Sequence, residues 1–462
     1  MKPLKIEEIV KAIDGRLVRT GKAGKITGVS TDTRTIKSGD LFIPLAGERF
    51  DGHRFMEEAA TRGASAILTQ ELNIRFPKDI HIIYTNNTLK ALQALSSWHL
   101  NRFATQVVAI TGSTGKTTTK DMVYEVLSVK HNALKTLGNY NNEIGLPLTL
   151  LNLDRSHDIA VLEMGMSDLG EISCLVQLAP PKLAIITNVG VSHIERLGSR
   201  ENILKAKLEV VGGLGEGATA IINSDDDLLQ TATHSLACPV IRFGTKPPAD
   251  LMAQDIQLTG DEGMSYSLRI EGKTYEIKLN VPGVHNVYNS LAAIGAGRAF
   301  GLTIQEIQEG LLKFKGDRMR LNISTIENDV KVINDSYNAS PDSMMAALNI
   351  LGSMEGSRKI AILGDMLELG DYSKEAHKQV GRAATNCGID ILVTRGQFAA
   401  WTMEGATSAG MSSSSLVHLD SNGDIITWLE GIVAQGDRIL IKGSRGMHME
   451  EIAASLQDGR AG

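Results

Sequence analysis

In VVAITGSTGKTTTK, residues 107–120, a lysine and a threonine stand directly behind a glycine-rich bend. That order of residue types suits phosphate. Glycines let backbone N–H groups close on phosphate oxygens, and a helix N-terminus behind them adds a favourable dipole. Lys116 would neutralise the terminal phosphates of a nucleoside triphosphate, and the Thr117 hydroxyl would ligate Mg²⁺. The loop residues expected to touch the nucleotide are Gly112, Ser113, Thr114, Gly115, Lys116, Thr117 and Thr118. One departure from G-x-x-x-x-G-K-[ST] is that Ile110 stands where that form has glycine.

Other reactive side chains follow apolar runs. Glu163 ends one in VLEMGMSDLGEI, and His193 ends another in IITNVGVSHIERLG. The carboxyl ends of neighbouring parallel strands converge on a ligand crevice, so both could reach phosphates bound after Ile110. A carboxylate there can hold Mg²⁺ directly. Magnesium prefers oxygen, so His193 is the less usual ligand, with helix capping or hydrogen bonding as its alternative. Lys207, in ENILKAKLEVV, is by default a solvated lysine on a helix face. Asn286 and Asn289, in PGVHNVYNSLAAIGAG, share one face where a small-residue helix begins. They could read an adenine edge, and N-capping is the ordinary explanation for one of them. Asp335, in INDSYNASPDSM, could hydrogen-bond a ribose or serve a turn or cap. ILGDMLELG and LIKGSRG are further strand-end loops expected to open toward the same cleft.

These residues need a scaffold that gathers strand ends. Residues 107–110 suit a buried strand, and Met122, Val126 and Val129 recur at helical spacing behind the loop. Strand-like runs at 159–163, 183–188 and 218–223 alternate with helical ones, the pattern of a mostly parallel α/β sheet. Residues 264–280 switch to period two around Glu-Gly-Lys, which predicts a hairpin. From 316 the alternation restarts, with strands expected at 330–333, 359–363, 389–394, 416–419 and 438–441 and a loop at 411–415. None of these strands leads into G-x-G-x-x-G, so the segment reads as a Rossmann-like doubly wound domain without a dinucleotide site. Three α/β domains are predicted: a small one at 1–102, a central P-loop domain at 103–315 and the doubly wound domain at 316–462. The first opens on an amphipathic helix with Ile6, Ile9, Val10 and Ile13 on one face.

Composition narrows the partners. A net charge of −6 gives no support to nucleic-acid binding. Cys174, Cys238 and Cys387 are odd in number and far apart, which argues against a disulfide framework and fits a reducing cytosol. No apolar run approaches the roughly 20 residues that span a bilayer, so no membrane insertion is expected. MKPLKIEEIVKAIDG has no cleavable signal pattern, and a cytoplasmic location follows as the expectation.

In chain order, TGSTGKTT, Glu163, the 188–193 stretch, HNVYN, DSYNASP, GDM and KGSR resemble the Mur ligase family, the ATP-dependent amide-bond synthetases of peptidoglycan precursor assembly. The resemblance runs from the N-terminal domain to near the end of the chain. TLGNYNNEIGLPLTLL (136–151), EMG, NDSYNASP, LGDMLELG and STDTRTIKSGDLFIPLAGERFDGHRF (30–55) are most similar to the members that add D-alanyl-D-alanine. The resemblance implies a catalytic set of Lys116, Lys207, His193 and Glu163, with Lys207 carbamylated by CO₂. An N-carboxylysine is an anionic oxygen ligand, and forming it needs a neutral amine, which burial beside cations favours. It implies two Mg²⁺ ions, one on Thr117 with ATP and one held by Glu163, His193 and Lys207. Asn286, Asn289, Arg318 and Asp335 are the implied further ATP contacts. Ser30, Thr31, Asp32 and Arg34 would line a uridine-nucleotide site, and Asn139, Asn141 and Asn142 would hold the muramoyl peptide or a nearby phosphate. Gly316-Asp317-Arg318 replaces the family's Gly-Arg, so Arg320 stays open beside Arg318, and Ser340 stands where the family has Asn before Pro341.

The implied activity joins a UDP-muramoyl tripeptide to D-alanyl-D-alanine at the expense of ATP, in a monomer with a hinge near 316. Two alternatives keep the phosphate loop. One is a sibling ligase that adds another amino acid or extends folate with glutamate. The other is a binding protein gated by nucleotide, which has no use for Glu163, His193 and Lys207 together.

Overall fold

The computed structural model of the chain describes residues 1–47, 51–72, 77–259 and 263–458. Positions 48–50 of the 30–55 stretch therefore lie outside the described residues. Among the described residues three sheets of five, nine and six strands form, one in each of three α/β domains.

The nine-stranded sheet is built around Gln106–Thr111. Its residues alternate between faces, as a doubly covered strand must. Val108 and Ile110 enter one core with Met122, Val126 and Leu291, while Val107 and Ala109 enter another with Leu150, Leu162 and Ile172. Ile159–Glu163 and Leu183–Ile186 flank this strand in parallel, and Ala133–Lys135 lies beyond Ile159–Glu163 at the edge. Beyond Leu183–Ile186 come Thr219–Asn223 and Val240–Gly244, also parallel, and then Leu251–Thr259. From there Gly263–Ile270 and Lys273–Leu279 add an antiparallel extension, turning at Glu271 and Gly272 with φ of +51° and +81°. The hairpin is as expected, and the additional strand Leu251–Thr259 extends it.

Behind the loop, Lys116–Leu127 forms a helix packed on Val284–Ala299. Small residues let these elements approach. A Cβ on Gly297 would sit 2.8 Å from Val126 Cγ1, and on the following helix, Ile304–Lys313, one on Gly310 would meet Val126 Cα at 2.4 Å.

The six-stranded sheet runs Asn322–Ile326, Val330–Asp335, Asp437–Lys442, Arg358–Leu363, Ile391–Thr394, Leu416–His418, with only the first strand antiparallel. Val332, Ile360, Ile362, Ile439 and Ile441 face one core, and Ile333, Ala361, Leu363 and Leu440 face the other. The 411–415 segment holds a short 3₁₀ turn, Ser413–Ser415, in place of a plain loop. In the five-stranded sheet Arg16–Arg19 is antiparallel to His81–Tyr84, and the other strands are parallel. The expected helix spans Ile6–Ala12, and Ile6, Ile9 and Ile13 are buried in that domain's core. Among the described residues, no helix is long and apolar enough to cross a membrane.

Candidate active site

Because Gln106–Thr111 lies between Ile159–Glu163 and Leu183–Ile186, the phosphate loop is met on one side by Glu163 and on the other by Thr187 and Asn188. Gly115 caps the helix with φ +77°. Asn188 clasps the loop through Oδ1, which accepts from Thr114 N at 2.9 Å, and Nδ2, which donates to Thr114 Oγ1 at 2.8 Å. Thr187 Oγ1 donates to Thr114 O at 2.6 Å. A Cβ on Gly112 would lie 1.8 Å from Thr187 Oγ1, so that position admits only glycine.

The loop borders a cleft of about 990 Å³ between the central and C-terminal domains, at the upper end of small-ligand sites. Ser113, Thr114, Gly115, Lys116, Thr117, Thr118, Asn139, Asn141, Asn142, Glu163, His193, Asn286, Asn289 and Asp335 all line it. Lys116 Nζ donates to Gly112 O at 2.8 Å and to Ser113 O at 3.3 Å, so the ammonium sits inside the loop. Burial lowers its pKa, opposed by Glu163 and assisted by Arg320.

Glu163 is buried and tightly held. Its Oε2 accepts from Thr117 Oγ1 at 2.9 Å and its Oε1 from Asn141 Nδ2 at 2.8 Å. A carboxylate and a hydroxyl oxygen gathered beside a phosphate cradle are donors suited to a hard divalent cation. His193 caps the short helix Ile194–Leu197 with φ +65°, and its Nδ1 is 3.0 Å from Glu368 Oε2 of the C-terminal domain. Of its two alternatives, hydrogen bonding is realised, whereas its side chain makes no capping hydrogen bond to the helix.

Lys207 corrects the solvated-lysine expectation. It is 2% exposed on the inner face of Arg200–Gly212, with Ile203, Ala206 and Val210. Burial, and then the nearby charge of Lys116, hold its pKa well below the usual lysine value. Burial beside a cation favours the neutral amine that carbamylation requires.

The capping explanation for the asparagines also fails, because Gly283 is the cap of Val284–Ala299. Asn286 Nδ2 donates to Pro282 O at 2.7 Å, and Asn289 Nδ2 donates to Asn286 Oδ1 at 3.1 Å. Asn289 Oδ1 accepts from Thr119 Oγ1 at 3.0 Å and tethers the two helices behind the phosphate loop. Asp335 Oδ2 receives Lys442 Nζ at 2.5 Å, and its Oδ1 accepts from Leu321 N at 3.1 Å. Arg320, stacked 4.0 Å over the Tyr337 ring, lines the cleft, whereas Arg318 is exposed and does not.

Ser30, Thr31, Asp32 and Arg34 lie apart from this cleft, where the strand Gly28–Ser30 ends in the N-terminal domain. Asp32 caps the 3₁₀ turn Thr33–Thr35, and the Arg34 guanidinium pairs with its carboxylate at 2.6 Å. Asp32 is consequently held below the ordinary carboxylate range, first by that side-chain hydrogen bond.

Several cleft residues were not anticipated. Asp226 Oδ2 accepts from Val189 N at 2.7 Å, and Arg200 Nη2 donates to Val189 O at 2.9 Å, so together they fix the loop leading to His193. Asp342 of the C-terminal domain leans on Gly190, where a Cβ would meet Oδ2 at 2.7 Å. Burial raises its pKa. The acidic run at 225–227 directly after a strand was the available signal.

Three family models match in chain order: "Mur ligase family, catalytic domain" over 25–97, "Mur ligase middle domain" over 110–297, and "Mur ligase, glutamate ligase domain" over 318–445. The UDP-N-acetylmuramoyl-tripeptide–D-alanyl-D-alanine ligase of Bacillus subtilis is 42% identical over 93% of each chain. Its Escherichia coli namesake is 36% identical over 98% of each. Among solved structures, MurF from Acinetobacter baumannii superposes with a TM-score of 0.90 at 30% identity, covering 99% of both chains. MurF ligase from Thermotoga maritima in complex with ADP gives 0.82 at 29% identity, over 93% of this chain and 97% of that one.

Proposed function

The chain belongs to the Mur ligase family, and within it we propose that this enzyme joins D-alanyl-D-alanine to a UDP-N-acetylmuramoyl tripeptide with cleavage of ATP to ADP and phosphate. The single observation that carries the reading is the cleft itself. A phosphate loop and a buried carboxylate face one another in that cleft, with the buried Lys207 near enough to Lys116 to feel its charge, in a chain that matches D-alanyl-D-alanine-adding ligases over nearly its whole length.

A carboxylate is a poor electrophile, so the tripeptide's terminal carboxylate oxygen first takes the γ-phosphoryl group and ADP leaves. The dipeptide's amine then attacks the acyl carbon, loses a proton, and inorganic phosphate departs from the tetrahedral intermediate. The loop N–H groups and Lys116 hold the triphosphate and compensate charge on the moving phosphoryl group. Thr117 would bind one Mg²⁺; Glu163, His193 and carbamylated Lys207 would hold a second. Magnesium there supplies further charge neutralisation. Asn289 holds the helix against the loop, Asn286 holds Asn289, and Asp335 with Lys442 and Arg320 forms the C-terminal wall of the nucleotide site. Asn139, Asn141 and Asn142 face the tripeptide, and Ser30, Thr31, Asp32 and Arg34 receive its uridine nucleotide.

Domains divide at 102/103 and 315/316, and Gly316, exposed with φ +82°, supplies the hinge for closure around three substrates. The enzyme works as a cytoplasmic monomer. Phosphate release with D-Ala-D-Ala, L-Ala, D-Glu, L-Lys and diaminopimelate, each with its matching UDP-muramoyl acceptor, tests the assignment. Release should require both the tripeptide nucleotide and D-Ala-D-Ala. Faster turnover with a single amino acid would make this a sibling ligase.

A further inference from the structure

His193 and Glu368 meet across the domain boundary. His193 belongs to the central-domain loop that follows Leu183–Ile186, and Glu368 to the C-terminal loop after Arg358–Leu363. Both residues adopt left-handed backbone, at φ +65° and +64°, which non-glycine residues disfavour. The two loops pack face to face, since a Cβ on Gly370 would lie 3.3 Å from Glu195 Cβ. With side chains 29% and 66% exposed, this contact contributes little to holding the domains together. Its consequence is geometric. A carboxylate on Nδ1 fixes which ring nitrogen carries the proton and how the ring is turned, leaving Nε2 free to act as ligand.

We propose that Glu368 is a positioning residue that orients the His193 imidazole for metal ligation, so that the metal site is complete only when the C-terminal domain sits as it does here. The inference rests on the reading of His193 as a ligand. Its test uses the full chain with a non-hydrolysable ATP analogue and bicarbonate, with Mn²⁺ as the probe. Electron paramagnetic resonance counts bound Mn²⁺, and nitrogen modulation of the echo signal reports direct imidazole ligation.

Glu368→Ala should weaken the second Mn²⁺ site by about 10–100-fold and diminish the nitrogen signal, the range for loss of a partner behind a metal-bound histidine. Glu368→Gln keeps an oxygen that accepts from Nδ1–H and should stay within several-fold of the native chain. Mn²⁺ affinity and nitrogen signal unchanged in Glu368→Ala, or Glu368→Gln as impaired as Glu368→Ala, would overturn the positioning role. His193→Ala is the reference. If it leaves Mn²⁺ binding intact, the ligand assignment falls and takes this inference with it; if it weakens binding while Glu368→Ala does not, only the inference falls.

Discussion

Gly115→Ala probes the joint between the phosphate loop and the helix behind it. Gly115 has φ +77°, and a Cβ there would lie 2.7 Å from Asn289 Oδ1. An alanine in left-handed backbone costs about 1–2 kcal/mol. The contact also pushes Asn289 off Thr119 Oγ1 and Asn286 Oδ1, both in buried surroundings. Leaving such polar groups unpaired costs about 1–3 kcal/mol. The sum is about 2–5 kcal/mol, or roughly 10 °C in the melting of a domain of this size. Loop N–H groups aimed at phosphate move as well, so ADP affinity should drop together with stability. Thermal denaturation and calorimetric ADP titration read both effects. The clash component is isolated by repeating the substitution in an Asn289→Ala background, where the cost should shrink to the backbone part of about 1–2 kcal/mol. An equal penalty in both backgrounds, or near-native ADP binding by Gly115→Ala, would refute the reasoning.

Lys116→Ala should lower kcat/KM by at least about 100-fold while the protein stays folded, because the lost charge acts on the transferring phosphoryl group; near-normal ligation would remove Lys116 from the chemistry. Lys207→Arg should be as inactive as Lys207→Ala, since arginine restores only positive charge, and intact-mass measurement of the native chain under bicarbonate should reveal an added carboxyl group that the arginine variant lacks. His285 has its pKa lowered to about 4 by burial, with Lys442 adding to that effect and Asp335 opposing it. The unfolded chain, whose histidine titrates near 6.5, therefore takes up the proton first on acidification. This residue's contribution is complete above pH 6.5 and lost as pH falls toward 4, at most about 3 kcal/mol before solvent screening. Denaturant titrations should find that acid sensitivity blunted in His285→Asn, and identical pH slopes in the two proteins would contradict it.

The parts most readable from sequence were those where local pattern and tertiary role coincide. The strand of the phosphate loop is apolar because both its faces are covered, and the turn at Glu271-Gly272 is marked by Gly272, the residue suited to positive φ. Leu251–Thr259 was missed because a bulge between Gln254 and Gln257, with Asp255 at φ +50°, breaks the two-residue period. Asn322–Ile326 was missed because this edge strand is only partly buried and need not be apolar. Lys207 was readable and misread. It falls at helical spacing with Ile203, Ala206 and Val210, so the stripe that buries those residues must bury the lysine too. Whether Arg318 or Arg320 reaches the cleft could not follow from composition, since the two are a single residue apart on either side of Met319 and only chain direction separates them.

The wiring of the site assigns different duties to the two domains that meet in it. The groups that cradle phosphate are positioned from within the central domain, Thr114 by Asn188, Gly115 beside Asn289, Glu163 by Thr117 and Asn141, and the 189–190 turn by Asp226 and Arg200. Nucleotide binding can therefore precede closure. The C-terminal domain contributes the Asp335–Lys442 pair, Asp342 against Gly190, and Glu368 on His193. On the proposed closure these would be the late contacts. An acyl phosphate formed before the C-terminal domain had docked would be open to water, and each turnover would then lose ATP without making an amide. If His193 is a metal ligand as proposed, tying its orientation to Glu368 would delay a full metal site until docking has excluded that water. The ordering follows from which chain segment carries each supporting side chain, and it predicts that Glu368→Ala should slow ATP cleavage and ligation together relative to Glu368→Gln.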